Sequence, residues 1–200
     1  MARRDYRLGR RGEMVEETRR RIVEATHELH NETSIAGTTM KDIAERAGVS
    51  IGTVYHHFPT YDEMVQACGA YTFELTRPPT PAIFRGARSQ KERVERLAAE
   101  LFAFYARFPA LERARAERHL VKPVDEQLTQ WDAAYAALVR EALGTDDPRL
   151  VAFAHALLDP AVHSALAARG LTAADAAAEV AEAILARLKR THSSKAKGGQ

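Results

Sequence analysis

The stretch DIAERAGVSIGTVYHHF, residues 42–58, decides how the rest of the chain is read. It opens as a helix, breaks at Gly48 and restarts at once, with His56 and His57 near its end. Two helices crossing through so tight a turn make narrow demands. A small residue must stand on the first helix where the second crosses it, and Ala44 is placed there. The turn needs a positive φ, which Gly48 adopts without steric cost. Val49 plugs the turn, Val54 points the second helix back into the core, and Ile43 and Ala47 complete the buried side. Ala44, Gly48 and Val54 stand four and six residues apart, the spacing of a helix-turn-helix. Left facing outward are Ser50, Ile51, Gly52, Thr53, Tyr55 and His56, a set that is small, hydrogen-bonding or aromatic and contains no acid. Such a face suits a helix entering a groove lined by phosphates.

Outward from this stretch almost every segment reads as helix. Val15, Ile22, Ala25 and Leu29 recur at helical spacing, and Asn31 to Gly37 breaks that helix. Thr39 caps the next, with Asp42 at the position where an acid answers the cap. Ser50 caps a short third helix to about His57, Pro59 stops it, and Thr60 with Glu63 forms a capping box for a fourth to about Thr76. RPPTP, residues 77–81, is the strongest boundary, because proline lacks an amide proton and restricts its predecessor. Beyond it, Val94, Leu97, Ala98, Leu101, Tyr105 and Phe108 form one stripe, and Val124, Leu128, Trp131, Tyr135, Leu138 and Ala142 a second. Asp147 with Pro148 starts a third segment that Pro160 interrupts or kinks, and Thr172 with Asp175 starts the last helix. No strand-like alternation appears, so the expected fold is all-α. The expected organisation is a basic disordered arm over 1–14, a helix-turn-helix domain over 15–60 and a connecting helix over 61–76. A helical body over 77–190 and a disordered tail over 191–200 follow.

The net charge of +2 on 200 residues does not by itself argue for nucleic acid, but its distribution is informative. Arg3, Arg4, Arg7, Arg10 and Arg11 face a single acid, Asp5, an arrangement that serves equally as a nucleic-acid-directed arm or as a solvated tail. Cys68 is the only cysteine, so an intramolecular disulfide and a cysteine-rich zinc site are both excluded. That usage fits a reducing cytoplasm, and neither a signal peptide nor a membrane span is expected. No nucleophile with base and orienter, no carboxylate pair and no phosphate loop stands in a context that argues for an enzyme, and no cofactor is implied.

The span TTMKDIAERAGVSIGTVYHHF, residues 38–58, closely resembles the DNA-binding segment of the TetR family of transcriptional regulators. The features that carry the resemblance are Thr39, the AGVS turn at 47–50, Gly52 to Tyr55, and His57 with Phe58. It covers about residues 15–65. It implies a homeodomain-like three-helix head followed by a regulatory and dimerisation body, acting as a ligand-responsive repressor on a palindromic operator. The implied partners are double-stranded DNA, a second copy of the chain and an unidentified small-molecule effector. Carried over, Thr39 and Tyr55 would bond backbone phosphates, and Thr53 and His56 would sit in the major groove. Ser50 and His57 belong to the same surface, while Ile51 and Gly52 would face bases, Ile51 reading only a thymine methyl. The family usually has a lysine soon after the phenylalanine, where it meets a phosphate; here that place is taken by Tyr61. Its hydroxyl would keep a hydrogen bond weaker by about 1 kcal/mol than a charge-assisted one. Arg7, Arg10 and Arg11 would offset the loss in the adjacent minor groove. The last two helical segments, 147–169 and 172–190, would form a four-helix interface between two copies.

Three further groups carry two readings each. RARAERH, residues 113–119, is either an anion-greeting cluster or a solvated face with Arg113 and Glu117 paired at helical spacing. Phe102, Tyr105, Phe108, Trp131 and Tyr135 are either core or pocket lining, and the candidate ligand pocket is Tyr105, Phe108, Trp131 and Tyr135 with Arg115 and His119. His155, Asp159 and His163 stand four apart, a spacing that could hold a divalent ion were it not for Pro160 within the triplet; no metal is assigned.

Overall fold

The computed structural model describes residues 2–197, with side chains over residues 12–190. Among the described residues there are ten α-helices and no strand: α1 Ala2–Glu32, α2 Met40–Ala47, α3 Ile51–His57, α4 Tyr61–Thr76, α5 Gln90–Arg107, α6 Leu111–Glu117, α7 Lys122–Leu143, α8 Pro148–Leu157, α9 Pro160–Ala167 and α10 Ala173–Lys197. The chain divides into two compact units. The first is Met1–Leu75 rejoined by Arg113–Leu128, and the second is Thr76–Glu112 with Thr129–Gln200. The linear division into a head and a body over 77–190 therefore needs amendment, since a segment of the expected body folds with the head.

The ends differ from expectation too. The backbone of α1 begins at Ala2 and that of α10 continues to Lys197, so the described parts of the expected arm and tail, 2–14 and 191–197, are helical. Arginine, leucine, methionine and glutamate are strong helix formers, and no proline interrupts residues 2–32. The side chains of Arg7, Arg10 and Arg11 lie outside the described residues.

In the first unit the core is built where α1, α2, α3 and α4 converge. Ile22, Ile43 and Val54 are fully enclosed, and Ala44, Phe58 and Met64 pack with them. Burial of each large aliphatic side chain contributes about 1.5–3 kcal/mol, which makes this cluster the main stabiliser of the unit. Polar ties set its geometry. Arg21 Nη2 donates to the Ala47 carbonyl at 2.6 Å, at the end of α2 where the helix dipole is negative. Thr26 Oγ1 donates to the Ile22 carbonyl at 2.8 Å and lies 3.1 Å from Met64 sulfur. Cys68 on α4 is buried, and burial pushes its thiol up to about 12.

The second unit is organised by α5 and α10. Val94, Leu97, Ala98 and Leu101 meet a face of α10 whose buried positions include Ala177, Val180, Ala181 and Ile184. Alanines on α10 let the two helices approach closely. Toward the end of α5 the aromatic residues gather around Phe104. Its ring lies 5.6 Å from Tyr105, 6.0 Å from Phe108 and 5.1 Å from Trp131, and Trp131 stacks on Tyr135 at 6.2 Å. The Tyr105 hydroxyl donates to the Leu158 carbonyl at 2.9 Å and that of Tyr135 to the His155 carbonyl at 3.3 Å. At the start of this unit Arg77 takes φ 49, and Arg107 Nε donates to the Thr76 carbonyl at 2.9 Å, which anchors the chain as it leaves α4.

Pro160 does not kink one helix; it begins a second. Asp159 caps α9 by accepting from Ala161 N at 2.9 Å, as Asp147 caps α8. His155, Asp159 and His163 consequently share no helical face. His155 meets the Tyr135 ring edge-on at 4.6 Å, and His163 meets Phe102 at 5.4 Å. Pro148–Ala167 is long and apolar enough to cross a membrane by length and composition, yet it is two short helices with an aspartate and a proline between them.

Candidate nucleic-acid interface

The turn between α2 and α3 is set by local chemistry. Thr39 Oγ1 accepts from Asp42 N at 3.2 Å and donates to Asp42 Oδ2 at 2.7 Å, while Thr39 N donates to the same carboxylate at 2.9 Å. This reciprocal box holds the Asp42 carboxyl below the usual aspartate range, chiefly through the Thr39 side chain. Gly48 ends α2 with φ 64, and Val49 N returns to the Ala44 carbonyl at 3.0 Å. Ser50 then caps α3, its Oγ accepting from Thr53 N at 3.1 Å.

With Val54 enclosed, the opposite side of α3 is presented outward. Ile51 is 46% exposed and Tyr55 49% exposed, one turn apart, so two large apolar surfaces stand side by side in solvent. Ser50, Gly52 and His56 are exposed and Thr53 is half-buried. α3 carries no acid. A Cβ added at Gly52 would meet nothing nearer than Ser50 Oγ at 3.8 Å, so internal packing does not require a glycine there. A glycine inside a helix costs about 0.5–1 kcal/mol relative to alanine, and this one leaves room for a backbone to be approached from outside. His57 is half-buried with its ring edge-on to His56 at 5.5 Å. Burial, then the positive neighbours His56 and Arg19, hold its pKa below the ordinary histidine value. Arg19 is itself laid over the Phe58 ring at 4.8 Å, which keeps a cation beside the end of α3.

Tyr61 departs from this surface. Its hydroxyl points inward, donating to the Ile35 carbonyl, so its expected phosphate contact is replaced by an internal one. Because that proton is committed, the hydroxyl oxygen accepts from His30 Nε2 at 3.0 Å, and His30 Nδ1 is left to accept from the Cys68 thiol at 3.5 Å. Burial raises the Tyr61 pKa and lowers that of His30 to about 4. Thr39 stays exposed, but its hydroxyl proton is held by Asp42, which a phosphate would have to displace.

Arg113 and Glu117 do not pair with one another. Arg113 Nη1 donates to the carbonyls of His30 and Asn31 at 3.1 and 2.8 Å, in the last turn of α1. Glu117 Oε2 accepts from Ser34 Oγ, Ile35 N and Ala36 N at 3.1, 2.8 and 2.9 Å. An i,i+4 pair exposed to water is worth only a few tenths of a kcal/mol, so unpaired backbone groups at a helix end compete successfully for both side chains. Of the six candidate pocket residues, Tyr105, Phe108, Trp131 and Tyr135 are brought together around Phe104 in the second unit. Arg115 and His119 lie in the first, with His119 exposed.

Residues 22–68 match the family model described as bacterial regulatory proteins, tetR family. The DNA-binding segment of the chain is of the TetR type. Its head is similar to that of the HTH-type transcriptional regulator TtgR of Pseudomonas putida, 46% identical over 55 residues. That match spans 28% of this chain and about a quarter (26%) of the relative's length. A longer likeness is to the HTH-type transcriptional repressor KstR of Rhodococcus jostii, 27% identical over 144 residues, 68% of this chain and 66% of that one. In fold, the chain resembles a TetR-like transcriptional regulator from a Rhodococcus species, with TM-score 0.62 and 19% identity over 86% of this chain and 96% of that one. It also resembles a TetR transcription regulator from Haloarcula marismortui, with TM-score 0.57 and 20% identity over 84% and 98%. The likeness in fold extends well past the matched head and takes in the helical body.

Proposed function

We propose that this chain is a TetR-family, ligand-responsive transcriptional repressor that binds a palindromic operator as a homodimer, reading the major groove with α3. The observation that carries the reading is the outer face of α3. Exposed Ile51 and Tyr55, an unforced Gly52 and the absence of any acid combine shape, apolar contact and tolerance of phosphate. Ile51 offers no hydrogen bond, so its discrimination would rest on a thymine methyl, while Thr53 and His56 supply donors and acceptors to base edges. Repression is supported by the name of the relative KstR.

One head covers only a half-site, so specific binding calls for a two-fold pair. Support for a second copy comes from α8 and α9: only 28% of the apolar stretch Pro148–Ala167 is buried within a single chain. The exposed Ala152, Ala156, Ala161 and Ala165 on these helices are small enough to let a partner helix approach closely. An effector would act by favouring one spacing of the two heads over another, because a ligand indifferent to both shifts nothing.

Selection of bound DNA from a random library by the full chain tests the whole reading. The expected result is an inverted repeat whose binding weakens steeply as salt rises, as release of counterions from phosphates requires. An enriched site without symmetry would overturn the dimer, and no enrichment at any salt would overturn the regulator itself.

A further inference from the structure

The connection between α1 and α2 is gripped from two sides at one peptide. On one side Tyr61, from α4, donates its hydroxyl proton to the Ile35 carbonyl. On the other, Glu117 at the end of α6 accepts from Ile35 N at 2.8 Å and from Ala36 N at 2.9 Å with a single carboxylate oxygen. The same oxygen takes the Ser34 hydroxyl at 3.1 Å, and the Ser34 carbonyl accepts from Thr38 Oγ1 at 2.6 Å, one residue before the cap of α2. A continuous run of hydrogen bonds thus leads from α6 to the start of the helix-turn-helix. Bonds to an ionised acceptor are about twice as strong as neutral ones, and here three converge on one atom.

Glu117 sits in Arg113–Leu128, the segment that the chain sends into the first unit and then withdraws. A segment tethered by covalent continuity to the second unit at both ends, and bonded to the backbone just ahead of α2, is well placed to set where α2 and α3 lie. We propose that Glu117 is a positioning residue for DNA reading: through the Ile35 peptide it fixes the orientation of α2 and α3, jointly with Tyr61 from the opposite side. The role rests on α3 being the DNA-reading helix. It makes the placement of that helix answer to α4 and α6 together, so that displacement of either changes operator affinity without touching a DNA contact.

The test uses the full chain and the DNA site recovered by selection. Affinity, thermal unfolding and the amide signals of Ile35 and Ala36 are compared in the wild type, Glu117→Ala, Glu117→Gln and Tyr61→Phe. Glu117→Ala is expected to weaken DNA binding on the order of tenfold, within the usual range of coupling between sites. Glu117→Gln, which keeps the acceptor oxygen, is expected to restore most of that loss. Both variants should move the Ile35 and Ala36 amide signals. The losses from Glu117→Ala and Tyr61→Phe are expected to combine non-additively, since both act on one peptide. Should Glu117→Ala fold poorly, Tyr61→Phe carries the test, because it releases the same peptide from the opposite side. Wild-type affinity in folded Glu117→Ala, or in folded Tyr61→Phe, with the Ile35 and Ala36 signals moved overturns the role alone. A wild-type chain that enriches no DNA overturns the regulator reading and this role with it.

Discussion

His30 makes the first unit sensitive to acid, by an amount that can be worked out. The ring is buried, donating from Nε2 to Tyr61 and accepting at Nδ1 from Cys68, so both nitrogens are occupied by a neutral tautomer. Burial, followed by the positive influence of His27, lowers its pKa to about 4 from an ordinary 6.5. Because the folded value is depressed, the unfolded chain binds the proton first as pH falls. Stability is complete above the unfolded value and drains away between about pH 6.5 and pH 4. One pKa unit corresponds to about 1.4 kcal/mol, so the full loss is about 3 kcal/mol, of which about 2 kcal/mol has gone by pH 5. The perturbation is His30→Gln, whose amide can donate to Tyr61 but cannot titrate. Urea unfolding at a series of pH values should show the wild type losing about 2 kcal/mol more than the variant between about pH 7.5 and pH 5. Titrating groups that do not interact with His30 contribute equally to both curves and cancel. Parallel stability curves, or a His30 ring that titrates near its ordinary value by NMR, would refute the reasoning.

Gly52→Ala separates fold from function: the added methyl has open space, so the head should gain up to about 1 kcal/mol in thermal unfolding while operator affinity falls. Gly48→Ala should do the reverse in stability, losing about 1–2 kcal/mol in chemical denaturation because φ 64 is left-handed and strained for alanine. DNA binding should strengthen as pH falls below the ordinary histidine value. His57 gains its charge only there, and a nearby phosphate would favour the charged ring. Binding isotherms of His57→Gln that keep the wild-type pH slope would count against that assignment. Leu166→Glu on α9 should shift the chain toward monomer in sedimentation and weaken binding to a two-half-site operator far more than to a half-site. Unchanged sedimentation would remove α8 and α9 from the interface.

The part of the fold that is legible in the sequence is the part built by near neighbours. Thr39 with Asp42, Gly48 and Ser50 act within four residues of their partners, so composition and spacing specify them directly. Tyr61 reads as a phosphate ligand because its place in the motif belongs to a cation. What decides its direction is a carbonyl 26 positions earlier, which no periodicity reports. Arg113 and Glu117 have the spacing of a local pair, yet their partners lie 82 or 83 and 81 to 83 positions away, respectively, at the end of α1 and in the α1–α2 connection. Phe104 stands three residues after Leu101 and four before Phe108, on the spacing of the stripe, but spacing shows only that it is buried and not that it is the hub of the aromatic group. The Asp159–Pro160 pair carries a usable signal: a cap followed by proline starts a helix as firmly here as at Asp147–Pro148.

The burial of Cys68 has a use beyond packing. It is the only thiol in 200 residues, and with its pKa pushed up to about 12 it supplies almost no thiolate at neutral pH. The native chain is therefore expected to react slowly with thiol-directed dyes and spin labels. A single cysteine substituted at the exposed Lys41 or Glu45 on α2 would be the sole position to react rapidly. In a two-fold pair, one such substitution places two identical reporters, one on each head, and the distance between them becomes directly readable as effector or DNA is added.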